Sequence, residues 1–146
     1  MTLLTLTILA LGAAVAGGAG FPPEMTDALR TSKHIYVSTR RADGTESKAV
    51  PVWFIFDGDQ ILFSTGPSSH KVRRLRHGSP LFVRVGSASG PRLVGHAELV
   101  DDPAVAERMA PVYRQKYWIA WLGFFVPDPE RVRAGKTILV RVTPER

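Results

Sequence analysis

The 146-residue chain contains no cysteine. That excludes a disulfide scaffold, a thiolate-bound zinc or iron–sulfur site, and a cysteine nucleophile. Acidic side chains are scarce: 13 Asp and Glu stand against 19 Lys and Arg, a formal charge of +6. An excess of that sign favours anionic partners, whether nucleic acid, an acidic membrane or a phosphorylated small molecule. Charge of either sign is missing from Met1 to Pro23; Glu24 is the first charged residue and every cation follows it. The four histidines, His34, His70, His77 and His96, lack metal-ligand spacing. His70 and His77 are two helical turns apart with no carboxylate nearby. There is no Gly-rich P-loop, no paired-carboxylate motif, no internal repeat and no low-complexity tract.

What is present fits one domain with its own core. Hydrophobic residues make up 45% of the chain, and the length suits a single domain. The chain divides into a neutral apolar head, residues 1–23, and a basic body, residues 24–146. The apolar run from Leu3 to Phe21 is long enough for a helix that just crosses a bilayer core. Three readings compete. A signal peptide has small residues at Ala14–Gly20 for cleavage but no basic n-region. A retained membrane helix would have its cations downstream, at Arg30, Lys33, Arg40 and Arg41, which keeps the body in the cytoplasm. An upstream start on a cytoplasmic protein is the third, since Met25 begins a plausible start too. Membrane association with the domain on the cytoplasmic side is the leading expectation. Pro22-Pro23 closes the head as a stiff connector.

Within the body, residues 26–32 suit a short helix capped by Thr26. His34 to Arg40 alternates as a strand, Ala42-Asp43-Gly44-Thr45 is a hairpin turn, and Lys48 to Phe56 is one long second strand. Gln60–Thr65, Leu81–Val85, Arg92–Val100 and Thr137–Val142 are further strands. His70 to His77 reads as a two-turn helix capped by Ser68 or Ser69, and a longer helix opens at Asp102-Pro103. Antiparallel hairpins without a βαβ rhythm predict a mainly β fold, a small barrel with a few helices. The aromatic stretch Tyr117, Trp118, Trp121, Phe124, Phe125 reads either as core or dimer interface, or as an interfacial belt or cofactor-side lid.

The chemistry concentrates in a strand, loop and basic helix, Phe63 to Arg76. Hydroxyls at Ser64, Thr65, Ser68 and Ser69, with charge from Lys71 and Arg74, make a phosphate cradle. The alternative is a solvated basic helix. Arg73, Arg74 and Arg76 also suit a polymer's phosphates. The basic helix His70 to His77 lacks stacking aromatics, so no nucleic-acid partner is expected.

The segments Arg41-Ala42-Asp43-Gly44-Thr45, Val50-Pro51-Val52-Trp53-Phe54 and Ser69 to Arg76, closing at Ser79-Pro80, stand in a recognisable order. So do Ser89-Gly90-Pro91, Gly95-His96-Ala97 and Arg114-Gln115-Lys116-Tyr117. Together they resemble the pyridoxamine 5′-phosphate oxidase-like superfamily of flavin-binding split barrels, most closely the branch of F420-dependent oxidoreductases. The resemblance covers most of residues 26–143 and none of the head. It implies a six-stranded antiparallel split barrel, a homodimer, and a cofactor, F420 or FMN, in a groove between subunits. It implies that Ser69 and Lys71 hold the phosphate, with Arg74 as a helper. Ser64 and Thr65 would lie near the ribityl chain, and Val52 and Trp53 would border the ring. The family's oxidases carry Arg where this chain has His70, and Arg and Lys on the second strand where it has Val50 to Trp53. These departures tilt the reading from FMN toward F420, or toward a haem or other tetrapyrrole.

Two function classes remain open from sequence. One is an oxidoreductase moving a hydride between F420 (or FMN) and a small organic substrate. The other is a non-catalytic split-barrel accessory or haem-binding subunit tethered to a membrane complex. His34, Tyr36 and His96 are candidate acids by residue type only.

Overall fold

The computed structural model describes residues 20–123 and 125–145, apart from the side chain of Trp121. Residues 1–19, which carry most of the apolar head and the expected N-terminal hydrophobic helix, lie outside them. Among the described residues, no helix is long and apolar enough to cross a membrane.

The elements run α1 (Pro23–Thr31), β1 (Ile35–Thr39), β2 (Val50–Val52), β3 (Ile55–Phe56), β4 (Ile61–Thr65), α2 (His70–Arg76), β5 (Leu81–Val85), β6 (Arg92–Val100), α3 (Pro103–Lys116), a 3-10 turn (Trp118–Leu122), α4 (Pro129–Arg133) and β7 (Ile138–Pro144). Helix α1 starts earlier than expected. Pro23 occupies its first turn, where a missing N–H costs nothing, so Thr26 lies inside the helix and is not its cap. Ser69 caps α2 by accepting from the Val72 N–H at 3.2 Å, and Asp102 caps α3 from the Ala104 N–H at 2.9 Å. Gly44, at φ +86°, makes the expected hairpin turn.

One seven-stranded antiparallel sheet has the order β2-β1-β5-β6-β7-β4-β3. The count differs from the six strands expected because the predicted strand Lys48–Phe56 is broken. Its two halves, β2 and β3, stand at opposite ends of the sheet. Val52 pairs with Ile35 of β1, whereas Ile55 pairs with Leu62 of β4. Three residues of extended chain span at most about 11 Å. Seven strands laid flat would separate the two ends by about 29 Å. The sheet must therefore curl until its ends approach, and Trp53-Phe54 is the bridge.

That bridge has left the strand ladder, so its backbone polar groups need other partners. The Phe54 N–H donates to the Tyr117 hydroxyl at 3.0 Å, and the Phe54 carbonyl accepts from Lys116 Nζ at 2.9 Å. The Trp53 carbonyl accepts from the Tyr113 hydroxyl at 2.9 Å. The Tyr117 hydroxyl in turn donates to the Lys33 carbonyl at 2.7 Å. The end of α3 and its cap Tyr117 thus supply partners for both Phe54 groups and the Trp53 carbonyl.

Strand alternation divides the core in two. Ile61 and Phe63 of β4 and Val140 and Val142 of β7 join Ile35, Val37, Phe54, Leu81 and Val83 inside the curl, closed by Met25 and Leu29 of α1. Phe21 also packs there, edge-on to Phe56 at 5.4 Å. Leu62 and Leu139 face outward and meet Val105, Met109, Tyr113 and Tyr117. The aromatic stretch is accordingly split: Tyr117 is buried, while Trp118, Leu122 and Phe125 are exposed.

Candidate functional site

Two clefts flank β2, where one end of the sheet comes round toward β4. The first has a volume of about 320 Å³ and is lined by β1, Val50 of β2 and the near face of α2, with Ser69, Lys71 and Arg74 among its walls. Arg41, Lys48 and His70 also face it, and no carboxylate does. The second, of about 300 Å³, is lined by Pro51, Val52, Trp53, Ser64, Tyr113 and Phe125. Alternation along β4 serves both. Ser64 lines the aromatic cleft, while the next residue, Thr65, reaches Lys71 and Ser69, each at 3.5 Å.

Six of the seven expected site residues therefore line one cleft or the other, and Thr65 bonds to two of them. Ser69, Lys71 and Arg74 share the cationic cleft; Val52, Trp53 and Ser64 share the aromatic one. His34, Tyr36 and His96 line neither.

The cationic cleft is poised for an anion. Burial pushes the Lys71 ammonium below its ordinary pKa. Among the described residues it forms no salt bridge, and it donates to Thr65 Oγ1 at 3.5 Å. Arg74 donates to Thr39 Oγ1 at 3.3 Å, which fixes the guanidinium without neutralising it. A half-buried ammonium, an arginine and two hydroxyls form a donor set that fits a phosphate. The aromatic cleft is organised differently. The Trp53 ring stacks on Tyr117 at 4.2 Å with an interplanar angle of 3°, and Phe125 meets it edge-on at 5.4 Å. Its wall of Val52 and Trp53 suits a flat conjugated ring. Tyr113 lines this cleft, yet its hydroxyl is committed to the Trp53 carbonyl and burial holds its proton tightly.

Sequence reasoning missed Tyr113; Lys116 entered only within the Arg114-to-Tyr117 match, and Phe125 only within the aromatic stretch, one reading of which is a cofactor-side lid. The spacing Met109, Tyr113, Tyr117 marked one face of a helix, but nothing local linked it to Trp53, 60 residues earlier. Phe125 has φ +60°, a left-handed conformation rare in a side-chain-bearing residue. No local signal marks it.

A sequence profile for pyridoxamine 5′-phosphate oxidase matches residues 21–146. The chain belongs to this family. Solved structures agree on the fold. An F420 reductase superposes with a TM-score of 0.60 at 20% identity, over 86% of this chain and 97% of that one. A Listeria innocua protein, provisionally named a pyridoxamine 5′-phosphate oxidase, gives 0.60 at 18% identity, over 84% and 91%. The general stress protein 26 of Bacillus anthracis gives 0.61 at 16% identity, over 83% and 86%. No curated protein is similar enough in sequence to match. Members of the family resemble one another in a flavin-type, oxidoreductase-like fold.

Proposed function

We propose that the protein is a cofactor-dependent oxidoreductase that moves a hydride between F420, or as second choice FMN, and a small organic substrate. The observation that carries this reading is the pairing of the two clefts along β2. A phosphate-fitting cleft and a flat aromatic cleft lie side by side, and a phosphorylated ring cofactor needs both.

In this reading Lys71 and Ser69 hold the phosphate, and Arg74 adds charge from the next turn of α2. Thr65 and Ser64 face the chain that joins phosphate to ring. Val52 and Trp53 cover one side of the ring and exclude water there. The bound cofactor supplies hydride transfer; the protein supplies position and a dry surface. The proton that accompanies the hydride comes from solvent, because Tyr113 is committed to Trp53 and the candidate histidines face elsewhere. The likeness of fold to an F420 reductase supports the first choice of cofactor. The resemblance also supports a homodimer, with β2 as an open sheet end beside the groove. A membrane contact through residues 3–21 would tether the domain on the cytoplasmic side.

Native mass spectrometry and the absorption spectrum of purified full-length protein test this directly. Retained or added F420 or FMN should appear as a stoichiometric adduct with a visible band shifted from that of free cofactor. A Soret band instead would favour the haem-binding alternative. Absence of both cofactors at micromolar concentrations would end the enzyme reading.

A further inference from the structure

Helix α2 has a second charged face. His70, Arg73, Arg74 and His77 recur at spacings of three and four, so they share one side of it. That side closes a cleft of about 580 Å³ against Arg40 and Arg41 at the end of β1. Four guanidinium groups and two imidazoles line it, and no carboxylate does. The cleft meets the Lys71 cleft at Arg41, His70 and Arg74, but extends past it to Arg40, Arg73 and His77.

The backbone of one arginine and the side chains of two others are held in place. The Arg40 N–H donates to Ser79 Oγ at 2.9 Å, tying the end of β1 to the loop after α2. Arg41 Nη1 donates to Thr45 Oγ1 at 3.2 Å and to the Glu46 carbonyl at 2.9 Å. Arg74 is held by Thr39. All these acceptors are neutral oxygens. The nearby acids are engaged elsewhere: Asp43 accepts from both the backbone and the hydroxyl of Thr45, and Glu46 pairs with Arg92 at 3.2 Å. Among the described residues, none of the four arginines is in a salt bridge.

We propose that this arginine cleft is a separate binding site for a small, multiply charged anion, a phosphate or a polycarboxylate. Converging guanidinium forks match the paired oxygens of such groups. The proposal does not depend on what occupies the Lys71 cleft.

The test is calorimetric titration of the full-length protein with inorganic pyrophosphate, and with citrate as the carboxylate probe. Arg40 and Arg73 line the arginine cleft but not the Lys71 cleft. Arg40→Gln/Arg73→Gln should therefore weaken pyrophosphate binding about tenfold or more, the loss of two charge-assisted contacts. Lys71→Ala, outside this cleft's lining although next to His70, should weaken it less than the double variant does. Arg73→Gln alone, on an exposed helix position, serves if the double variant melts early. Binding of either probe with this pattern supports the site. No binding by the wild type, or loss in Lys71→Ala with none in Arg40→Gln/Arg73→Gln, would overturn it.

Discussion

On one side of β2 the cleft is made of charge carried by a seven-residue helix; on the other it is made of aromatic surface carried by a strand break. The charged cleft is local. Ser69, Lys71 and Arg74 lie within one helix and its cap, so their side chains meet whatever the rest of the chain does. The aromatic cleft is long-range. Trp53 and Phe54 hold their course because Tyr113, Lys116 and Tyr117 arrive from 60 to 63 residues away to take up their backbone groups. Mutations should therefore separate the two sides. Changes in the charged cleft should alter binding and spare stability, while changes at the break should alter stability first.

The largest effect is expected at Phe54, which is fully buried and lies under the Lys116 ammonium at 3.3 Å from its ring centroid. Phe54→Ala should cost about 3–5 kcal/mol of folding stability, read by chemical denaturation. A loss below about 1 kcal/mol would mean that the break is not anchored as described. Lys71→Ala comes next. It should weaken cofactor binding by about 1–3 kcal/mol, the usual worth of a charge-assisted hydrogen bond. Because burial disfavours the Lys71 charge, the same variant should melt at or above the wild-type temperature. A clear drop in melting temperature would contradict the division between the two clefts. Trp53→Ala should lose its stacking on Tyr117, about 0.5–1.5 kcal/mol beyond its buried area. It should also weaken cofactor binding, whereas Trp118→Ala, an exposed ring outside both clefts, should not.

The division also explains what could be read in advance. Helix α2, its Ser69 cap, strands β5 and β6 and the Gly44 turn follow from local pattern, and they appear as expected. The second strand does not. Val50, Val52, Phe54 and Phe56 alternate well enough for one continuous strand, and β-propensity cannot report a change of partner. The break exists because the sheet curls and α3 offers hydroxyls and an ammonium at that point, which is tertiary information. The pairing of Val52 and Trp53 with Ser64 was legible only through the family resemblance. Phe125 was legible only as one reading of the aromatic stretch, and Tyr113 had no guide.

The smallest effect is a pH dependence from the break. Burial, aided by the Lys33 charge, brings Lys116 from 10.5 down to about 8. Above about pH 8 the folded protein releases a proton that the unfolded chain keeps, so stability should rise toward pH 10. Lys71 acts in the same direction. Burial raises Tyr117 to about 12, and Tyr113 higher still. Above pH 10 the unfolded chain loses those protons first, so stability should fall again. Lys116→Met should remove most of the rise in a series of melting curves; an unchanged rise would assign it elsewhere.

The most direct test of the central claim is a parallel fluorescence titration of the wild type, Lys71→Ala and Trp53→Ala with F420 and with FMN. The account predicts that one cofactor binds the wild type at micromolar concentrations and that both variants bind it more weakly, with only Trp53→Ala also losing stability. Equal binding by the wild type and Lys71→Ala, or no binding of either cofactor, would contradict it.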